Sequence, residues 1–286
     1  MRRLSPASPS VRGSIIIPAH NEEASIPATL AALQPLLDAG TTEVIVSCNG
    51  CTDSTARIAR EHPGVRVIET EVASKVVALN AADAAATLWP RMYLDADILI
   101  EPSAVAAVFG ALAADEALAA RPLFRYEVTG ASAGVRAYYR ARQRIPSTSG
   151  ALWGAGVYAL SRRGRDRFVR FPDLVADDLY IDSIFADHEK AVIETEPVLV
   201  TTPRTSAGLL AVLARQSRGN AEQPGTTASG STVRELARSA RSAGAAYDAA
   251  AYLTYSLLGR WRALRSRGPR VWERDESSRG RPAASH

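Results

Sequence analysis

Asp95-Ala96-Asp97 sets two carboxylates two positions apart at the end of a short apolar run, Met92-Tyr93-Leu94. Oxygen ligands at that spacing suit one hard divalent cation, and Mg²⁺ and Mn²⁺ often share such ligands with a substrate's phosphates. The plain alternative is a solvated acidic turn. Lys75 is one of only two lysines and stands at the head of a helical pattern, where it could meet a diphosphate or simply point into water. Cys48-Asn49-Gly50-Cys51 follows a strand-like run and precedes a helix, which is the layout of a thioredoxin-like redox site. The rest of the chain does not follow that fold. A structural zinc site would need four ligands, and His20, His62, His188 and His286 are not paired at ligand spacing.

Bulk composition narrows the classes. The chain has 286 residues, 47% hydrophobic, enough for a sizeable core in one large or two modest domains. Its net charge of +4 is mixed along the chain and does not suggest a nucleic-acid binder. Every basic side chain other than Lys75 and Lys190 is arginine or histidine, a compositional bias rather than a functional sign. Two cysteines make no disulfide framework. Met1–Gly13 is basic without an apolar stretch behind it long enough for a signal peptide. No apolar run reaches the roughly 20 residues of a spanning helix, so a cytoplasmic protein is expected.

The elements that must position these residues follow from periodicity. Ser14–Ile17, Glu43–Val46, Val65–Ile68 and Arg91–Leu94 read as buried strands. Between them Glu22–Leu37, a segment starting at Thr52-Asp53-Ser54-Thr55, and Ser74–Thr87 read as helices. Strands alternating with helices predict parallel βαβ units, with helices on both faces of a mostly parallel sheet. Ligands in such sheets bind outside the carboxyl ends of the strands, where Asn21, Asn49, Asp53, Asp95 and Asp97 all fall. Further on, Glu101–Ala114, Val135–Arg144, Asp178–Ala186 and Leu209–Arg218 read as helices. Leu123–Thr129, Leu152–Leu160 and Val192–Thr201 read as extended. Residues 1–12 are expected to be flexible, 221–232 to be a Gly/Ser/Thr/Pro-rich linker, and 233–286 a basic tail with a helix near Ala245–Leu264.

Five segments together resemble the family 2 inverting glycosyltransferases, which have the GT-A fold, a Rossmann-like α/β arrangement. They are Ile15-Ile16-Ile17-Pro18-Ala19-His20-Asn21-Glu22-Glu23, Val44-Ile45-Val46-Ser47-Cys48-Asn49-Gly50-Cys51-Thr52-Asp53, Lys75 to Asn80, Asp95-Ala96-Asp97, and Ala176-Asp177-Asp178-Leu179. The resemblance covers roughly residues 13–220. It implies transfer of a sugar from a nucleotide-diphospho-sugar to an acceptor hydroxyl. Three departures stand out. Cys48 and Asn49 replace the two acids of the family's second loop, which leaves the nucleotide open. Ser74 replaces the Gly before the loop lysine. Gly219 stands where processive members carry Trp after Arg218, which argues against a processive synthase.

The roles are what the resemblance implies. Asp97 is the direct ligand of Mn²⁺ or Mg²⁺, and Asp95 contacts the ribose or a metal-bound water. An ion bridging the phosphates stabilises charge building on the leaving diphosphate. Asp178 is the base that takes the acceptor's proton, with Asp177 where the family has Glu, and Asp173, Asp177 and Asp182 as competitors. Capping of the next helix is the compatible plain reading of Asp177-Asp178. Pro18, Ala19, Asn21, Glu22, Cys48, Asn49, Asp53, Lys75, Asn80 and Ala96 are expected on the nucleotide-donor side, although capping alone accounts for Asp53. Trp153 and Gly154, with Asp177, are expected to shape the sugar and acceptor pocket, and Arg215 and Arg218 to close over the diphosphate.

The donor expected first is a UDP-sugar, with GDP and dTDP open. The acceptor is a glycan, a lipid-linked glycan or a small molecule. A sugar nucleotidyltransferase or a catalytically dead nucleotide-binding scaffold are the alternatives. In the tail Tyr247, Tyr252, Leu253, Tyr255, Leu257, Leu258, Trp261 and Leu264 stand with Arg260, Arg262, Arg265 and Arg267, while Asp248 opposes deep insertion. Such a helix can lie in a membrane interface, pack on the catalytic domain or mediate a homodimer. The first option would place the protein peripherally at the inner face of the cell membrane.

Overall fold

Apolar residues at every position of a strand need cover on both faces of the sheet, and the chain provides it. The computed structural model describes residues 2–4, 12–174, 176–220, 230–239 and 241–265. Its strands are β1 (Arg2–Leu4), β2 (Gly13–Ala19), β3 (Thr42–Asn49), β4 (Val65–Thr70), β5 (Arg91–Leu94), β6 (Ala119–Glu127), β7 (Val157–Leu160) and β8 (Lys190–Thr201). They form one sheet in the order β1-β8-β6-β7-β5-β2-β3-β4. β2 is parallel to β3 and β5, β3 to β4, and β1 to β8, while β7 runs antiparallel to β5 and β6.

The helices are α1 (Ile26–Asp38), α2 (Thr55–Glu61), α3 (Lys75–Ala85), α4 (Pro102–Ala113), α5 (Ala133–Arg144), α6 (Pro146–Ser149), α7 (Arg162–Arg165), α8 (Asp177–Ile184), α9 (Ser206–Asn220), α10 (Gly230–Ser239) and α11 (Ala243–Arg265). Side chains alternate across the strands. Ile15, Ile17, Val44, Val46, Met92 and Leu94 therefore pack with Leu30 and Leu33 of α1 and Val105 and Val108 of α4. Ile16, Ile45 and Tyr93 pack on the other face with Val76, Leu79 and Ala82 of α3. Each fully buried aliphatic side chain contributes roughly 1.5–3 kcal/mol.

The chain divides into two compact units, Met1–Arg125 with Ala151–Val200, and Tyr126–Gly150 with Thr201–His286. The first contains the two packed faces just described. The second is largely helical. Within it Tyr252 of α11 stacks on Tyr138 of α5 at 5.0 Å, and Asp248 of α11 is buried against Arg140 and Arg144 of α5. Gly259 of α11 meets Leu213 of α9 so closely that a Cβ would lie 2.6 Å from it. The expected domain of residues 13–220 spans parts of both units. Helix α5 belongs to the same unit as the tail and supplies the counter-charges of Asp248.

Other differences are local. α1 begins at Ile26 rather than Glu22, with Pro in its first turn, where a missing N–H costs nothing. The extended run expected over Leu152–Leu160 is a turn up to Gly156 and a strand only from Val157, since Gly154 (φ +83°) and Gly156 (φ +67°) adopt left-handed backbone. Arg2–Leu4 pair with Ala191–Ile193 inside the segment expected to be flexible. Of the expected linker, residues 221–229 lie outside the described residues and Gly230 already opens α10.

Candidate active site

Lys75 is the first residue of α3, and Ser74 is its N-cap, accepting the Val77 N–H at 3.4 Å. This start aims the Lys75 stem at the carboxyl end of β5. Its Nζ lies 2.7 Å from Asp95 Oδ1 and 2.9 Å from Asp177 Oδ1. Burial disfavours the ammonium, but Asp177, Asp95 and Asp178 outweigh it and hold the Lys75 pKa well above its ordinary value. Lys75, Asp95, Asp177 and Asp178 line one cleft together with Pro18, Gly156 and Tyr158.

Asp177 and Asp178 open α8, where the helix dipole favours acids. Asp178 Oδ2 accepts the Gly154 N–H at 2.8 Å, and Oδ1 accepts the Leu179 N–H at 2.8 Å. Burial, followed by the charge of Asp177, lifts the Asp178 pKa to about 6, against the pull of Lys75 and the Gly154 N–H. Asp177 is buried and accepts a hydrogen bond from the Tyr158 hydroxyl at 2.9 Å. Tyr158 stacks on Tyr93 at 5.0 Å, and Tyr93 donates to the buried Asp83 at 2.6 Å. Burial and then the neighbouring aspartate push both phenols well above their usual pKa, so both remain donors. Neither tyrosine was singled out from sequence. The available signal was a hydroxyl-bearing aromatic at the inner face of an otherwise apolar strand.

On the Asp95 side, Gly156 closes the wall. A Cβ there would lie 2.7 Å from Ile98 and 3.3 Å from Asp95 Oδ2, and the Gly156 carbonyl accepts the Asp95 N–H at 2.8 Å. Asp97 is exposed. Ala96 is buried, its carbonyl accepting from Thr29 at 2.8 Å. Among the described residues no three His, Cys, Asp or Glu side chains group closely enough to hold an ion. The Asp95/Asp97 pair still fits a hard cation that brings most of its own oxygen ligands as phosphate and water, the habit of Mg²⁺.

The loops after β2 and β3 interlock. Asn21, in left-handed backbone at φ +53°, accepts the Thr52 N–H at 2.6 Å and the Asp53 N–H at 3.3 Å. Asp53 accepts from Thr55 N–H, the first of α2, at 3.0 Å, and also from Glu23 N–H at 3.2 Å. The Glu22 N–H donates to Thr55 Oγ1 at 2.6 Å, and its carboxylate accepts from Ser25. Asn49 is fully buried. Its amide donates to the Ala19 carbonyl at 2.6 Å and accepts the Ser74 N–H at 3.2 Å. Asn49 therefore ties β2 to the cap of the lysine helix. Cys48 is buried and Cys51 half-buried, both as free thiols. The Cys48 hydrogen bond brings the Cys51 thiol down to about 6 despite its burial, and the same bond holds Cys48 above its ordinary value.

The structure also places the remaining expected residues. Asn80 uses both ends of its amide on the Phe171 backbone, at 3.0 and 2.9 Å, and pins the loop that leads to Asp177. Trp153 is half-buried in the turn before β7. Arg215 and Arg218 belong to α9 of the second unit.

The sequence model of glycosyl transferase family 2 matches residues 14–162, just over half of the chain. The chain belongs to that family, which sets aside the nucleotidyltransferase reading. No curated protein matches it. Solved structures share its fold. One is the mannosyltransferase PcManGT from Pyrobaculum calidifontis in complex with GDP-Man and Mn²⁺, at 19% identity and TM-score 0.64, covering 93% of this chain and 90% of that one. Another is glucosyl-3-phosphoglycerate synthase from Mycobacterium tuberculosis in complex with Mn²⁺, UDP and glucosyl-3-phosphoglycerate, at 22% identity and TM-score 0.53, covering 73% and 80%.

Proposed function

We propose that this chain moves a hexose from a nucleoside diphosphate sugar to an acceptor hydroxyl by a single, inverting, metal-assisted displacement, and that it is not processive. The observation carrying this reading is the convergence of Lys75, Asp95, Asp177 and Asp178 from three separate elements on one cleft at the carboxyl end of β5.

Asp97 with Asp95 would hold Mn²⁺ or Mg²⁺, which supplies Lewis-acid stabilisation of the departing diphosphate. Asp178 is the base. The Gly154 N–H orients its Oδ2, and a pKa near 6 keeps it ionised at neutral pH yet basic enough to accept a hydroxyl proton. Asp177, fixed by Tyr158, holds Lys75 between the donor and base sides of the cleft. The Lys75 charge lowers the cost of bringing a diphosphate next to three carboxylates. Pro18, Ala19, Asn21 and Glu22 form the nucleoside wall. Cys48, Asn49 and Asp53 shape that wall from behind, and Asn80 acts on the loop after Phe171. Trp153 would offer a ring face to the sugar or acceptor.

The similar structures carry GDP-mannose or UDP with Mn²⁺, so UDP-, GDP- and dTDP-hexoses are the donors to try. The acceptor is a glycan, a lipid-linked glycan or a small hydroxyl compound. Calorimetric titration with each sugar nucleotide, with and without Mn²⁺, tests the donor. NMR of the product's anomeric centre tests inversion. One nucleotide bound only with Mn²⁺, and inverted product, is expected. Binding of none would sink the reading in favour of an inactive scaffold, and retention would remove Asp178 as the base of a single displacement.

A further inference from the structure

Helix α11 packs one side into the fold and, among the described residues, leaves a second, apolar side uncovered. Asp248, Tyr252 and Gly259 lie on the buried side, against α5 and α9. On the other side Leu253, Leu257, Trp261 and Leu264 follow at steps of four, four and three, so they form one stripe. They are 38%, 63%, 51% and 84% exposed. A contiguous exposed stripe of this kind marks an interaction surface, because the core gains nothing from it. Arginines border it. The Arg265 guanidinium lies 3.9 Å from the Trp261 ring centroid, and Arg260 and Arg262 stand beside it in sequence.

Charge identifies the occupant. From Arg260 to the C-terminus the sequence holds eight arginines against three acids, an excess larger than the +4 of the entire chain. The rest of the protein is therefore slightly acidic, and its positive charge is gathered at the end of α11 and beyond. No helix among the described residues is long and apolar enough to cross a membrane.

We propose that α11 docks flat on an anionic membrane surface, with Leu253, Leu257, Trp261 and Leu264 among the acyl chains and the arginines on headgroup phosphates. A second copy fits less well. The single acid of α11, Asp248, is buried against Arg140 and Arg144. An antiparallel copy would set Arg260, Arg262 and Arg265 over an alanine-rich half-helix, and a parallel copy would set them over each other.

The test is sedimentation of the full-length protein with vesicles of phosphatidylcholine alone and with added phosphatidylglycerol, at low and high salt. Capture by the anionic vesicles should exceed capture by the neutral ones by at least roughly tenfold and fall with salt. The double variant Leu257→Ser, Trp261→Ser leaves the buried face intact and should lose roughly tenfold or more of that binding. The triple variant Arg260→Gln, Arg262→Gln, Arg265→Gln should lose the preference for anionic vesicles. If the double variant does not give the wild-type circular dichroism, Leu264→Ser in the last turn takes its place. The proposal is overturned if the wild type stays in the supernatant with both vesicle types, or if the stripe variants sediment like it. A dimer that light scattering shows to dissociate in the double variant, without vesicle binding, would assign the face to a second copy.

Discussion

At the scale of single residues, the cleft's chemistry rests on one lysine among three carboxylates. Asp178 must be ionised to act as a base, and its pKa is lifted to about 6. Transfer should therefore fall about tenfold per pH unit below that value, while circular dichroism stays native through the first unit of the fall. The sign for stability is opposite. A carboxyl whose folded pKa lies above its ordinary 3.8 stabilises the fold when protonated, fully below 3.8 and no longer above about 6. Loss of rate near pH 6 thus reports the base and not unfolding. Asp178→Asn should retain Mn²⁺-dependent donor binding and lose about 100-fold or more in turnover. Wild-type turnover in that variant would remove Asp178 from the mechanism. Lys75 pulls the Asp178 pKa down, so Lys75→Gln should move the acid limb of the rate profile to higher pH. An unmoved limb would show that Lys75 does not act on the base.

At the scale of elements, strands and helices of the first hundred residues were legible because both signals are local. Ile15, Ile16 and Ile17 announce a strand covered on two faces, and Ile26, Leu30 and Leu33 a helix covered on one. The turn before β7 was not legible as a turn, since Leu152 and Ala155 are as apolar as a strand, and only the positive φ of Gly154 and Gly156 breaks it. Gly156→Ala would force a Cβ onto Ile98 in left-handed backbone. It should cost about 2 kcal/mol or more and weaken metal-dependent nucleotide binding through Asp95, readable as a lowered Tm together with a raised Kd. The partner of Asp248 was equally hidden, because Arg140 and Arg144 lie more than a hundred residues away. Asp248→Ala leaves two guanidiniums without their shared acid. With those arginines partly exposed it should cost about 2–3 kcal/mol, seen as a lower denaturation midpoint in urea with an unchanged slope.

At the scale of the whole molecule, the order of motifs along the chain foretold one crevice, since parallel strands deliver their carboxyl ends to one edge. It did not foretell which residues would touch. Asn49 and Asn80, expected on the donor, spend their amides on the backbone. Tyr158, never suspected, fixes Asp177. Such pairings depend on register between distant strands, which local periodicity does not encode. The same cleft predicts how the protein as a whole responds to metal. Lys75 already pairs with both Asp95 and Asp177, and no three-ligand group exists among the described residues. The ligand-free fold should therefore be indifferent to chelation, with EDTA leaving the apparent Tm unchanged and Mn²⁺ alone raising it little. A nucleotide that supplies the remaining oxygen ligands should change this. At 100 times its Kd a ligand of the native state adds about 2.7 kcal/mol, and EDTA should abolish that increment selectively. Differential scanning fluorimetry with the four combinations of metal and sugar nucleotide decides it. An apo Tm lowered by EDTA would mean that the ion is structural and that the Lys75 pairing does not describe the metal-free protein.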